Sequence, residues 1–204
     1  MSTAAELKSA IEEQVNVRYV FFLHWSYFVP EEITLNYECV CFHMTDVPYG
    51  RGGSPLQNLI VRGHRDTMMT ALRMTNELDA GPVYMKRHLS LEGGSAEEIY
   101  IRAGMLSMEM VVSLVNDEPD PVVQEGEVTH FVRRTPQQSE LPVEDMSLES
   151  VFDFIRMLDA DGYPRAFKTI GGLKLEFSRS ALREGKVEAS VAISIDGEND
   201  NAND

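Results

Sequence analysis

Two short segments hold residue types that could move protons. His43 opens a stretch rich in turn formers, with Pro48, Gly50, Gly52, Gly53 and Pro55, and Asp79 stands in the run Glu77, Leu78, Asp79, Ala80, Gly81, Pro82. An imidazole and a carboxylate, each at the end of an apolar run and beside loops shaped by glycine and proline, form the layout of an acid/base site. Cys39, Cys41 and His43 alternate along a β-branched and aromatic run, so a strand would put Cys41 and His43 on one face. A plainer reading is also open, in which His43 caps its strand and Asp79 makes a turn, and the residues alone favour it. No metal site is expected, because alternating strand residues close a tetrahedron poorly and no fourth ligand is in sight.

The elements that must position these groups alternate helix and strand. Residues 4–14 read as an amphipathic helix, 19–23 as a buried strand, and Pro30 with Glu31 and Glu32 as the start of a short helix. The next strand delivers Cys41 and His43. A helix then runs from Ser54 or Pro55 to Val61, residues 68–74 form a strand leading to Asp79, and residues 83–89 a strand leaving it. Residues 95–115 are a long helix opened by a Ser95/Glu98 capping box, in which Met105, Met108 and Met110 read as adaptable core packing. Polar, proline-bounded composition after Asn116 divides the chain. A core spans residues 1–120, a linker 121–146 and a small β-rich domain 147–195, while the acidic stretch 196–204 lacks apolar periodicity and reads as a disordered tail.

With 204 residues, 43% of them hydrophobic, the chain can bury a sizeable core, and its apolar runs are too short for a bilayer. The first residues lack the basic flank and apolar stretch of a signal peptide, so a cytoplasmic location and reduced thiols at Cys39 and Cys41 are expected. The formal net charge is −15, from 33 acidic and 18 basic residues. Such a surface repels phosphate backbones, so a nucleic-acid partner would need a local basic patch. Its candidates are Arg133 with Arg134, Lys86 with Arg87, and Arg156 and Arg165.

His43, Pro48, Arg51 with Gly52, Pro55, and Asp79 with Gly81 and Pro82 fall in the order and spacing of a known pattern, Asn-x-His-Pro-Ser-Leu-Leu-Pro, then Arg-Gly-x-x-Pro, then Asp-x-Gly-Pro. The chain thereby resembles the folate-dependent formyltransferases. Phe154 to Met157 and Gly162 to Phe167 extend the resemblance into their small C-terminal domain. What this implies is an α/β fold, with a Rossmann-like core on a mostly parallel sheet, plus a barrel-like C-terminal domain. It implies a cytoplasmic enzyme that moves a formyl group from 10-formyltetrahydrofolate to a primary amine, with His43 and Asp79 catalytic and Cys41 where the family has its asparagine. It places the folate against His24, Trp25, Ser26, Phe28, Thr75, Asn76 and Leu78, and the acceptor near Arg51, Gly52 and Gly53.

The family's first β-α-β unit has no counterpart here, so a shortened N-terminus is expected. Given the acidic surface, the expected acceptor is a nucleotide-linked amino sugar, with tRNA unfavoured. Methionyl-tRNA formyltransferase and a folate-binding remnant without catalysis are the alternatives. A shortened sheet would leave an unpaired edge, which a homodimer would cover.

Overall fold

A computed structural model describes residues 4–12, 17–25, 29–142 and 144–197. Its elements run α1 (Ala4–Glu12), β1 (Tyr19–Phe22), α2 (Glu31–Asn36), β2 (Glu38–His43), β3 (Arg51–Gly52), α3 (Pro55–Val61), β4 (Asp66–Arg73) and β5 (Val83–Ser90). They continue with α4 (Ala96–Asp117), β6 (His130–Phe131), a 3-10 turn at Pro136–Ser139, α5 (Leu148–Arg156), β7 (Ala166–Ile170), β8 (Leu173–Arg183) and β9 (Lys186–Ile195). The chain folds as two units. One takes the residues up to Pro55, Asp66–Leu89 and Arg102–Phe131; the other takes Leu56–Arg65, Ser90–Ile101 and the chain from Val132 on.

The first unit is built on a sheet with strand order β1-β2-β4-β5. β1 runs parallel to β2, with Phe22 beside Cys41, and β2 runs antiparallel to β4, with His43 beside Thr70. The sheet is therefore mixed, which corrects the mostly parallel sheet expected. The reason is that a strand buried on both faces reads as a continuous apolar run whichever way its neighbour points; Val40, Ala71 and Leu72 are all fully buried. Leu7 and Ile11 of α1 join Phe22, Val29, Ile33 and Cys39 in one cluster, with Trp25 and Cys41 packed at its border. Apolar spacing of four residues puts Leu7 and Ile11 on one face of α1 and so fixes which side of the helix is covered.

In α4 the helical phase separates the three methionines. Met110 is fully buried, whereas Met105 and Met108 are more than half exposed. The core reading holds for Met110 alone, because a rotation of about 100° per residue turns the other two outward.

The second unit packs Leu56, Leu59, Ile99, Ile155, Met157 and Leu158 in its interior. Ser147 caps α5 by accepting the Ser150 amide at 3.1 Å. Its C-terminal sheet is antiparallel in the order β7-β8-β9, and among the described residues no strand closes it into the barrel-like form expected. Arg156, the last residue of α5, is a buried cation that donates to Asp153 at 2.6 Å and to the Leu91 carbonyl at 2.8 Å. Among the described residues, no helix is long and apolar enough to cross a membrane. Residues 198–204, part of the expected tail, lie outside the description.

Removing one member of a buried ion pair leaves the other charge without compensation. Arg156→Ala should therefore lower the unfolding free energy by about 3–5 kcal/mol. Breaking the surface pair Lys174–Glu176 with Lys174→Ala should cost less than about 1 kcal/mol. Urea titration of both variants reads the difference.

Candidate active site

His43 is the last residue of β2, and Asp79 lies in the loop between β4 and β5. The two meet, with His43 Nδ1 3.6 Å from Asp79 Oδ2 and both side chains about one-tenth exposed. The other ring nitrogen is held separately: His43 Nε2 lies 2.8 Å from the Gly50 carbonyl. A carbonyl can only accept, so Nε2 carries the proton there, and Nδ1 is the nitrogen that faces the carboxylate.

The loop after His43 wraps back to make this contact. Thr45 Oγ1 also donates to the Gly50 carbonyl, at 3.2 Å, and Thr70 Oγ1 donates to the Thr45 carbonyl at 2.7 Å. Beyond the turn, β3 pairs in parallel with β6. Gly52 brings its amide to Asp79 Oδ2 at 2.9 Å. It can do so because it has φ of 111° and no Cβ, which would fall 2.3 Å from the Phe131 carbonyl. The same logic applies at Gly81, whose Cβ would meet the Arg73 carbonyl at 1.7 Å. Asp79 itself sits in the left-handed region, φ 53°, which aspartate tolerates better than most residues.

One residue that the sequence did not single out completes the arrangement. Gln124 donates from Nε2 to the carbonyls of Asp79, at 2.9 Å, and Gly81, at 2.8 Å. Its Oε1 accepts from Arg51 Nε at 3.1 Å and Nη2 at 2.9 Å, while Arg51 Nη1 donates to Glu77 at 3.2 Å. The amide thus ties the aspartate loop to the glycine loop. Gln124 lies in an irregular stretch after α4, where neither helical nor strand periodicity marks a residue, so nothing in the sequence flagged it.

The remaining site residues are placed as follows. Arg51 is buried and engaged with Gln124 and Glu77, and the Gly53 amide donates to the Phe131 carbonyl at 3.1 Å. Asn76 donates to Glu31 at 2.7 Å, Thr75 Oγ1 donates to the Glu77 carbonyl at 3.1 Å, and Leu78 is 70% exposed directly before Asp79. Trp25 is half-buried with its ring edge-on to Phe22, and His24 is exposed. Ser26 and Phe28 lie outside the described residues.

Both cysteines are free thiols. Burial pushes Cys39 up to about 11, and burial together with the nearby Asp79 carboxylate pushes Cys41 up to about 12. Both stay protonated near neutrality, so Cys41 offers a weak S–H donor and no nucleophilic thiolate.

Several of the basic residues named from the sequence are engaged by partners of their own unit. Lys86 pairs with Asp46, Arg87 with Glu109, Arg156 with Asp153, and Arg165 with Asp159, while Arg134 donates to the Gln138 carbonyl.

The profile described as the C-terminal domain of methionyl-tRNA formyltransferase matches residues 136–194. A solved methionyl-tRNA formyltransferase from Clostridium thermocellum is 46% identical, with a TM-score of 0.87, over 95% of this chain and 83% of that one. Methionyl-tRNA formyltransferase of Rickettsia massiliae (strain Mtu5) is 28% identical over 134 residues, 63% of this chain and 44% of that protein. The chain spans about half the length of the curated relatives it matches. HypX from Aquifex aeolicus, solved in complex with tetrahydrofolic acid, is 19% identical and shares the fold, with a TM-score of 0.65 over 87% of this chain and 30% of that one.

The thiols set a pH dependence of stability. A thiol whose folded value is raised binds its proton more tightly in the native state, so its contribution is intact below the unfolded value of about 8.5 and is lost as pH rises through the folded one. Urea unfolding should show stability falling from about pH 8.5 towards pH 11, and the variant with both Cys39→Ala and Cys41→Ala should show a shallower fall. Equal slopes would mean that other groups set it.

Proposed function

The chain belongs to the formyltransferase family, in its methionyl-tRNA formyltransferase-like branch, and on that premise we propose that it transfers a formyl group from a tetrahydrofolate-linked donor to a primary amine. The observation that carries this reading is the contact of His43 and Asp79, locked by the Gly52 amide. The donor supplies the formyl carbon as electrophile, and its folate nitrogen takes up a proton as it leaves. Asp79 accepts the proton that the amine loses when its nitrogen bonds to that carbon, directly or through one water. His43 donates to the oxygen that becomes negative as the carbonyl pair moves onto it, exchanging its Gly50 contact for the substrate oxygen. The neutral Cys41 thiol is a weaker donor at the same step than a carboxamide would be.

The loop at residues 75–78 suits a flat heteroaromatic ring in a specific way. Leu78 exposes an apolar surface beside Asp79, and with Asn76 and Thr75 already engaged, recognition of the ring edge falls to backbone groups. Trp25, and with it the segment of His24, Ser26 and Phe28, is assigned to the same ligand on the strength of family kinship. Arg51 is assigned to an anionic part of the acceptor. It would reach it by releasing Glu77, whose side chain is 71% exposed, while Gly52 and Gly53 hold the loop in place.

Methionyl-tRNA is the first reading for the acceptor, supported by the named relatives. It displaces the expected nucleotide-linked amino sugar, and tRNA as an unfavoured partner, from first place. A small amino sugar stands as the second reading, favoured by the net charge of −15 and the pairing of the basic side chains.

An assay offering formyl-tetrahydrofolate with methionyl-tRNA or with a nucleotide-linked amino sugar separates the two acceptors. Asp79→Asn and His43→Gln should each lower kcat by roughly 10²–10⁴-fold. Gln124→Ala should lower it less and raise KM for the acceptor as Arg51 loosens. Turnover of tRNA that falls steeply with salt supports the first reading; turnover of the sugar alone supports the second. Full activity in Asp79→Asn would remove the basis of the mechanism.

A further inference from the structure

Among the described residues, no strand pairs with the outer side of β9, the edge of the C-terminal sheet. β9 is the outer strand of the order β7-β8-β9, whereas the β7 side carries a bridge between Glu140 and Phe167. Soluble proteins blunt such edges with charges, proline or bulges. β9 carries Lys186 and Glu188 at its start, but from Ala189 to Ile195 it holds alanine, serine, valine and isoleucine only. On the face shared by Val187, Ala189, Val191, Ile193 and Ile195, the register brings Phe177, Leu175 and Leu173 of β8 alongside. The apolar side chains there are open to solvent, with Val191 at 46%, Ile193 at 64% and Ile195 at 56% exposure. Leu173, and Ile170 of β7 beside it, extend the same patch.

We propose that β9 pairs antiparallel with β9 of a second copy, joining the two C-terminal sheets into one of six strands. The occupant follows from the sequence of the strand itself. A two-fold axis at Val191 sets Ile193 opposite Ala189 and Ile195 opposite Val187 of the other copy, so every apolar side chain of this face meets another. The same register places Lys186, whose ammonium lies 2.6 Å from Glu188 of its own strand, opposite Asp196 of the other copy at each end, adding a carboxylate to that pair twice. Pairing at this edge satisfies the outward-facing backbone groups of β9 and brings its apolar side chains into cross-strand contact, while Leu173 and Ile170 lie on strands β8 and β7. The sheet edge at β1 is a weaker place for the dimer expected from the sequence, since it is four residues long and flanked by the charged Arg18.

Sedimentation velocity on the full chain across micromolar concentrations tests this. Wild type should run as a dimer. Val191→Lys, which sets two ammonium groups against each other on the axis, should run as a monomer with unchanged circular dichroism. Lys186→Glu, at a solvent-exposed position and with its circular dichroism checked alongside, should weaken the dimer by roughly ten-fold, and adding Asp196→Lys should restore it. A wild-type monomer, a dimer indifferent to Val191→Lys, or failure of the charge swap to restore association would each overturn the proposal.

Discussion

The Gly52 amide, donating to Asp79 at 2.9 Å, joins two loops that leave different strands of one sheet. A hydrogen bond to a charged acceptor in a largely buried setting is worth about 1.5–3 kcal/mol. Its larger effect is geometric. It fixes the carboxylate oxygen that also faces His43, so the loop after β2 and the loop after β4 cannot drift apart without losing the His43–Asp79 contact. The glycines on either side are consequences of that closeness: a methyl group at 52 or 81 would overlap a backbone carbonyl. Gln124 reinforces the junction from a third segment and brings the Arg51 guanidinium with it.

How much of this was legible in the sequence depends on how local each feature is. His43 and Asp79 could be found because each terminates an apolar run beside turn-forming residues, and because their spacing matches a family pattern. The strands β4 and β5 were local too, expected at residues 68–74 and 83–89 and found at Asp66–Arg73 and Val83–Ser90. Strand direction was not, because burial on both faces erases the alternation that would distinguish one neighbour from another. Gln124 was hidden for a related reason, since its partners Asp79 and Gly81 are more than forty residues away. For α4, counting methionines suggested a core, but the helical phase decided which of them reached it.

Electrostatics bears on the chemistry in two places. Cys41 stands on the strand that delivers His43, and with its thiol pushed up to about 12 it remains a neutral neighbour of the carboxylate. In the proposed reaction, proton traffic is then assigned to the imidazole and the aspartate. A charge of −15, with Lys86 and Arg165 already paired with acids, acts against a polyanionic acceptor, the one the proposal puts first. Charge and kinship act on different quantities. Family membership bears on the reaction, and charge bears on which amine reaches the site.

In the proposed function the Asp79 junction forms one wall of a site for a folate-linked formyl donor. Isothermal titration of the chain with a stable formyl-folate analogue, beside Asp79→Ala and Trp25→Ala, tests it most directly. Wild type should bind in the micromolar range, and both variants should bind more weakly. Absence of binding to a folded wild-type chain, or binding that neither substitution alters, would contradict it.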